Sequence, residues 1–180
     1  YVASDFLSQA EHGADSQAIL FTDSAEVALR FQQVMEQQLT KLSRQELTRK
    51  SLEHSKVVVL RNQDDLMDLV NEYAPEHLIL NTSNFEELAD KVRNAGSVFM
   101  GPYSPESAGD YASGTNHTLP TNGYAKAYNG VNLDSYMRKV TFQQLSREGL
   151  HGIGHVIEIM AENEQLDAHR NAVSIRLAQV

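Results

Sequence analysis

The sequence predicts an α/β fold, with a mainly parallel sheet flanked by helices and a small, mostly helical C-terminal tail region. Amphipathic patterns of helical length separate short apolar runs, and strands that alternate with helices favour a parallel sheet. Apolar residues make up 41% of the 180 residues, which is enough for a compact core. The apolar runs of the buried-strand type lie at residues 18–21, 57–60, 77–81 and 97–100.

The first elements follow from apolar periodicity and from residues that end helices. Residues 4–12 fit a helix, and we expect Gly13 to end it as a left-handed cap residue. Asp23 or Ser24 can cap a long helix that reaches Leu42. Because Pro75 disfavours helical backbone in the residue before it, the helix that precedes it should end there. The further helices between the strands are predicted near residues 44–54, 63–73 and 84–95.

The character of the chain changes after Gly101. Residues 101–130 are rich in Gly, Pro, Ser, Asn and Tyr and have little periodicity, and so long an irregular segment is usually functional or disordered. Residues 137–144 fit one more strand, and two helices are expected at 146–161 and 166–177. We therefore divide the chain into an α/β domain, residues 1–131, with an active-site loop at 101–130, and a C-terminal arm, residues 132–180.

Composition excludes several classes of function. Asp and Glu number 24 against 15 Lys and Arg, giving a net charge of −9 without a basic patch, which argues against a nucleic-acid partner. The lack of cysteine excludes disulfides, thiolate metal ligands and a cysteine nucleophile. We recognise no signal peptide and no apolar run of membrane-spanning length, so we expect a cytoplasmic protein with no membrane partner.

Two polar pairs in the first half of the chain could support chemistry. Gln9 and His12 are three residues apart, so on a helix they share a face and could hold one metal ion through an amide oxygen and an imidazole. The alternative is an ordinary polar helix face. Glu76 and His77 follow Pro75 at the entry to a strand and offer two proton-transfer groups. The alternative for this pair is a solvated loop.

Two further groups lie in the second half. In the glycine-rich loop, Asp110 and His117 are possible metal or substrate contacts, whereas the glycines match neither a P-loop nor a dinucleotide-binding motif. A merely structural loop is the alternative. Asp167 is predicted to cap the last helix, which places His169 in a first turn where a cationic imidazole is disfavoured. A neutral imidazole there suits metal ligation or plain solvent exposure. The remaining histidines are interpreted as structural or surface residues: His54, His151 and His155.

Five segments, in order and over nearly the whole chain, resemble the histidinol dehydrogenase family. They are SQAEHGADSQ (8–17), NEYAPEHLIL (71–80), GPYSPESAGDYASGTNHTLPT (101–121), VTFQQLSREGL (140–150) and EQLDAHRNAVSIRL (164–177). With this resemblance, the predicted sheet is interpreted as an incomplete Rossmann-like sheet, the C-terminal part of a larger domain. The sequence departs from the family pattern at Ala14, where proline is usual, and at Gln165, where glycine is usual.

The resemblance implies roles for eight residues. The family's zinc ligands match Gln9, His12, Asp110 and His169, which also contact the substrate. His77 would be the general base and a substrate contact, and Glu76 would activate a water molecule. The residues that match His117 and Glu164 contact the substrate. The departures at positions 14 and 165 lie beside site residues without replacing one, so they affect local loop geometry rather than chemistry.

The resemblance also implies an activity and an assembly. The activity is a zinc-dependent, NAD-linked four-electron oxidation of L-histidinol through histidinaldehyde to L-histidine, in histidine biosynthesis. The family is homodimeric, with the C-terminal arm crossing to the partner so that Glu164 and His169 serve the other subunit's site. The nicotinamide-binding surface is expected mostly in an N-terminal part that this sequence lacks, so the isolated chain is expected to be inactive.

Two alternatives stay open. One is a catalytically inactive truncated fragment that keeps the fold. The other is a zinc hydrolase or deaminase that uses Glu76 with a zinc-bound water and needs no nicotinamide.

Overall fold

The computed structural model describes residues 1–178, which form two compact units divided between Tyr136 and Met137. Residues 179 and 180, the end of the predicted arm, lie outside the described residues. The first unit contains α1 Val2–Ala10, β1 Ile19–Thr22, α2 Ala25–Leu39, α3 Gln45–His54, β2 Lys56–Val59, α4 Gln63–Tyr73, β3 His77–Leu80, α5 Phe85–Ala89, β4 Ser97–Met100 and α6 Glu106–Tyr111. Two short 3₁₀ helices follow at Tyr124–Lys126 and Leu133–Tyr136, and the second unit contains α7 Arg147–Asn163 and α8 Asp167–Leu177.

The parallel pairing of the predicted strands is confirmed, and helices flank the strands as expected. The described strands form two two-stranded sheets, β1 with β2 and β3 with β4. Ile19 pairs with Lys56 in the first sheet, and His77 pairs with Ser97 in the second. Each connection between paired strands contains at least one helix, as parallel pairing requires.

Several helix ends match the predictions from residue type. Ser24 is the N-cap of α2, where its side chain accepts a hydrogen bond from the backbone N–H of Val27 at 3.3 Å. The helix before Pro75 ends as predicted, with Ala74 in the left-handed conformation at φ 52° and ψ 66°. The predicted left-handed cap at Gly13 is wrong. Helix α1 already ends at Ala10, and its C-cap Glu11 keeps right-handed backbone angles and donates to the carbonyl of Leu7.

The helix predicted at 84–95 is shorter than expected because a buried side chain binds the backbone beyond its end. Helix α5 stops at Ala89. The Asn71 side-chain oxygen accepts hydrogen bonds from the backbone N–H groups of Arg93 at 2.6 Å and Asn94 at 3.1 Å. Asn71 is only 3% exposed, so these bonds are formed away from water. They hold the segment before β4 in a turn rather than a helix.

The strand predicted at 137–144 is wrong. These residues have no regular secondary structure, and Val140 and Phe142 are 68% and 94% exposed. An alternating pattern forms a strand only where a neighbouring strand pairs with it and one face is covered. The segment 101–130 is largely irregular, as predicted, but it also contains the short helix α6, which the sequence pattern did not indicate.

Two apolar clusters in the first unit hold the elements that carry the candidate site. One is formed by Met67, Val70, Leu78, Leu80 and Leu88, from α4, β3 and α5. The other contains Ala3, Phe6, Ala18 and Phe31, with the two phenylalanine rings edge to face at a centroid distance of 5.0 Å. The first cluster fixes β3 and the second fixes α1 on its neighbours.

The second unit contains a helical hairpin of α7 and α8. Ser146 caps α7 by accepting a hydrogen bond from the backbone N–H of Gly149 at 3.0 Å. The helices pack closely at Gly154, where an added Cβ would lie 2.8 Å from Leu177. Asp167, which the sequence predicted as a cap, is instead the first helical residue of α8. Among the described residues, no helix has the length and apolar character needed to cross a membrane.

Candidate active site

Helix α1 brings Gln9 to the candidate site at its C-terminal end. His12 lies just beyond the helix, in the turn that follows it, where its backbone N–H donates to the Gln9 carbonyl at 3.4 Å. The side-chain oxygen of Gln9 lies 3.0 Å from Nδ1 of His77, which joins α1 to β3. The charge of His12 acts on both Glu76 and His77, so its imidazole belongs to the same neighbourhood.

Glu76 and His77 stand where the chain leaves the left-handed turn at Ala74 and enters β3. The Glu76 carbonyl accepts the backbone N–H of Ser97 at 2.9 Å, which fixes the start of this strand on β4. A Cβ at Gly96 would lie 2.5 Å from that carbonyl oxygen, so this close approach requires glycine. Burial raises the pKa of the Glu76 carboxyl, and the charge of Asp110 raises it further, against a lowering effect of His12.

The imidazole of His77 has a defined hydrogen-bonding direction. An amide oxygen can only accept a hydrogen bond, so the Gln9 contact assigns the ring proton to Nδ1 and leaves the lone pair on Nε2. The His77 side chain is 12% exposed. Burial lowers the pKa of His77, while the charge of Asp110 partly opposes that effect. The neutral, basic form of the imidazole is therefore favoured near neutral pH.

Helix α6 supplies two carboxyl groups to the same place. Glu106 and Asp110 are four residues apart, so they project from one side of this short helix. Glu106 is only 3% exposed, and its Oε1 lies 3.9 Å from Nε2 of His77. Burial raises the pKa of Glu106 to about 7, with further increases from the hydrogen bond and the negative charge of Asp110. A hydrogen bond from Gln9 acts in the opposite direction.

Sequence reasoning did not identify Glu106. The four-residue spacing of Glu106 and Asp110 could have indicated a pair of carboxyl groups on one helical face. It does so only if residues 106–111 are helical, as they are in the structure. The short helix packs tightly on β4, since an added Cβ at Gly109 would lie 2.6 Å from the ring of Phe99. Its position therefore depends on packing against the preceding strand β4 rather than on local periodicity.

The donor atoms of this cluster suit a metal ion. Possible ligand atoms of His77, Glu106 and Asp110 lie within 4.8 Å of one another. Nε2 of His77 and Oε1 of Glu106 are buried without a hydrogen-bond partner in the described part of the chain. Nitrogen and oxygen donors of this kind bind zinc and other divalent ions.

The other predicted site residues lie elsewhere on the chain. His117 is exposed in the irregular segment after α6. Glu164 is the C-cap of α7 and His169 is in α8, and both are exposed residues of the second unit. Their participation with Gln9, His12 and Asp110 in one site stays a prediction. His151 and His155 lie on the exposed side of a continuous α7, which Gly152 and Gly154 do not interrupt.

The fold and the site define a parallel α/β protein with a buried histidine–carboxylate centre. The histidinol dehydrogenase family model matches residues 1–177. Histidinol dehydrogenase of Bacteroides thetaiotaomicron is 58% identical over 177 residues, and that of Bacteroides fragilis strain YCH46 is 55% identical over 180 residues. The chain belongs to the histidinol dehydrogenase family.

A solved structure supports the same assignment. The crystal structure of histidinol dehydrogenase from Elizabethkingia anophelis matches with a TM-score of 0.92 and 53% identity, over 98% of this chain and 41% of that chain. The B. thetaiotaomicron match covers 98% of this chain and 41% of that protein, and the B. fragilis match covers 100% and 42%. The chain thus spans about two fifths of the length of these relatives.

Proposed function

We propose that the protein acts in histidine biosynthesis as an NAD-linked oxidoreductase that converts L-histidinol through histidinaldehyde to L-histidine. Family membership supports this reaction, and one geometric observation carries it for this chain. His77 is held by Gln9 with its lone pair on Nε2, in a buried cluster that contains two carboxyl groups. This is the arrangement required of a general base that must be neutral before it takes a proton.

The proton chemistry of the proposed reaction follows from the two neighbouring groups. In the first step His77 takes the hydroxyl proton of the alcohol while a hydride leaves its carbon, which gives the aldehyde. A water molecule, activated by Glu76, then adds to the aldehyde and forms the hydrate. Loss of a second hydride and of protons from the hydrate gives the carboxylate. Two hydrides are removed in total, and the added oxygen comes from water.

We propose that zinc is held by Gln9, His12 and Asp110 together with His169. The first unit brings donors of this kind together, since the Gln9 side-chain oxygen lies 3.0 Å from the His77 ring and Asp110 has a possible ligand atom within 4.8 Å of those of His77 and Glu106. When bound, zinc would orient the imidazole and amine of the substrate, and NAD would accept the hydrides. His117 and Glu164 are proposed substrate contacts, and Gln9, His12, His77, Asp110 and His169 are proposed to contact the substrate as well.

We also propose a cytoplasmic homodimer in which the arm formed by residues 132–180 crosses to the partner. Glu164 and His169 would then complete the partner's site. The nicotinamide-binding surface is proposed to lie mostly outside the matched two fifths of the family. The isolated chain is accordingly expected to bind zinc and substrate but not to turn over.

Calorimetric titration of zinc into the metal-free chain, with L-histidinol present, tests the site. His12→Ala and His169→Ala are expected to weaken zinc binding about 10-fold or more, as loss of a zinc-site residue does. His54→Ala is the matched control, because His54 lies on the exposed end of α3. Unchanged zinc affinity in both site variants would refute the ligand assignment.

The activity requires a separate measurement on the full-length gene product. Absorbance of the reduced nicotinamide should rise on addition of L-histidinol and NAD, with two reduced molecules formed per histidine produced. Histidinol consumption without nicotinamide reduction would favour the hydrolase or deaminase alternative. Absence of any turnover by the full-length product would overturn the proposed function.

A further inference from the structure

Glu106 is a buried carboxyl group that the proposed roles leave unused. It is the first residue of α6, directly after the N-cap Pro105, and only 3% of its surface is exposed. Glutamate is almost never buried so completely unless its carboxyl group is paired. Oε1 of Glu106 nevertheless has no hydrogen-bond partner within the described residues. A buried oxygen without a partner is costly and calls for a functional explanation.

The unpartnered oxygen faces one particular atom. Nε2 of His77 lies 3.9 Å away and also lacks a hydrogen-bond partner among residues 1–178. The opposite ring nitrogen, Nδ1, donates to the side-chain oxygen of Gln9 at 3.0 Å. The imidazole therefore lies between an amide on its Nδ1 side, with which it is hydrogen-bonded, and a carboxyl group 3.9 Å away on its Nε2 side.

Both groups stand on elements that are fixed relative to each other. His77 is paired with Ser97 across the β3–β4 sheet, so the backbone of β4 determines its position. The ring of Phe99, also in β4, lies 6.0 Å from the His77 ring by centroid distance. The same phenylalanine ring is the surface on which Gly109 packs, and this contact fixes α6. The approach of Glu106 to His77 is thus determined by one strand that contacts both.

We propose that Glu106 is a positioning residue for His77, which it holds from the Nε2 side of the imidazole while Gln9 holds it from the Nδ1 side. The inference rests on the proposed role of His77 as general base. By restricting rotation of the ring, Glu106 keeps Nε2 in a fixed direction, while the Gln9 contact keeps the ring proton on Nδ1. Its carboxyl group is also placed to form a charge-assisted hydrogen bond with the imidazolium once that proton is taken.

The first test follows His77 itself and does not depend on activity. The ring nitrogens of ¹⁵N-histidine-labelled protein are observed by NMR in the wild type, in Glu106→Gln and in Glu87→Gln. Glu87 is an exposed glutamate of the same unit and serves as the matched control. We expect Glu106→Gln to shift both His77 ring nitrogen signals while those of His54 stay in place, and Glu87→Gln to leave both histidines unchanged. Unchanged His77 signals in Glu106→Gln would overturn the proposal.

A second test separates positioning from metal ligation in the full-length gene product. Glu106→Gln should lower kcat about 10- to 100-fold, the usual cost of removing a group that orients a site residue. KM for L-histidinol and zinc affinity should change much less than kcat, and Glu106→Asp, which keeps the charge, should recover part of the rate. A loss of zinc affinity as large as the loss of kcat would show that Glu106 acts on the metal site, as a ligand or through Gln9 and Asp110, and would overturn its role in positioning His77.

The two tests also distinguish failure of this inference from failure of the proposed function. If the wild-type protein does not oxidise histidinol, the proposed function fails, and the NMR comparison still decides whether Glu106 orients His77. If the wild type is active and Glu106→Gln retains full kcat, the proposed function stands and the positioning role is wrong.

Discussion

Replacement of Glu106 by glutamine should stabilise the metal-free protein above neutral pH and leave its stability nearly unchanged in acid. Folding raises the pKa of this carboxyl from the ordinary value of 4.5 to about 7, chiefly through burial. Each pKa unit corresponds to about 1.4 kcal/mol, so ionised Glu106 destabilises the folded state by about 3 kcal/mol. Glutamine has nearly the same shape and no charge, and so removes this penalty.

The direction and the pH window follow from the raised value. Between pH 4.5 and about 7 the folded protein keeps a proton that the unfolded chain has lost. Wild-type stability therefore falls through this interval relative to Glu106→Gln, and the difference is complete above it. Below the ordinary pKa both forms are neutral at position 106, and the two proteins should be equally stable.

The assay is urea unfolding followed by tyrosine fluorescence. All seven tyrosines lie in the first unit, so the signal reports on the part of the chain that contains Glu106. With a slope of about 2 kcal/mol per molar urea, the glutamine variant should unfold at a midpoint about 1.5 M higher at alkaline pH. Glu87→Gln controls for loss of an exposed charge. Equal midpoints for wild type and Glu106→Gln above neutral pH would refute the reasoning.

Three further substitutions test the packing around the site by the same unfolding assay. Leu80→Ala leaves a cavity in the β3 core cluster, where Leu80 is 5% exposed. It should lower the free energy of unfolding by about 2–5 kcal/mol. A smaller loss would show that the surrounding side chains move to fill the cavity. Ala74→Gly should change stability by less than about 1 kcal/mol, because relief of the left-handed strain at φ 52° opposes the loss of a methyl group at a site that is 1% exposed. A larger change in either direction would contradict this balance. Gly109→Ala should lower the free energy of unfolding by about 1–3 kcal/mol, because its added methyl group clashes with Phe99. Gly114→Ser has no atom within 4 Å of its Cβ position, so it should lower stability only through the strain of a left-handed backbone.

The strands could be predicted because their signal is local. The apolar runs of β1 to β4 are each bounded by polar or helix-ending residues, and each observed strand overlaps its predicted run. Pro75 restricts the residue before it by steric contact within the chain, so the end of α4 was also predictable. Residue type and spacing indicated catalytic or binding roles for Gln9, Glu76, His77 and Asp110. The structure brings Gln9, His77 and Asp110 close to one another.

The features that were missed depend on contacts between different elements of the fold. Glu106 looks like an ordinary surface glutamate in a polar loop until α6 packs on Phe99 and buries it. The end of α5 depends on Asn71, which is some twenty residues earlier in the chain. Residues 137–144 alternate like a strand but find no strand to pair with, and this cannot be known from their own pattern.

The division of the strands into two pairs has a consequence for the motions of the backbone. Every described strand has a hydrogen-bonded neighbour on one side only, so half of the strand amides point away from the ladder that holds them. Those amides depend on helices and side chains, rather than on a continuous sheet, for protection from solvent. In a hydrogen–deuterium exchange experiment, protected and rapidly exchanging amides should therefore alternate along β3, up to the first residue of the strand, His77.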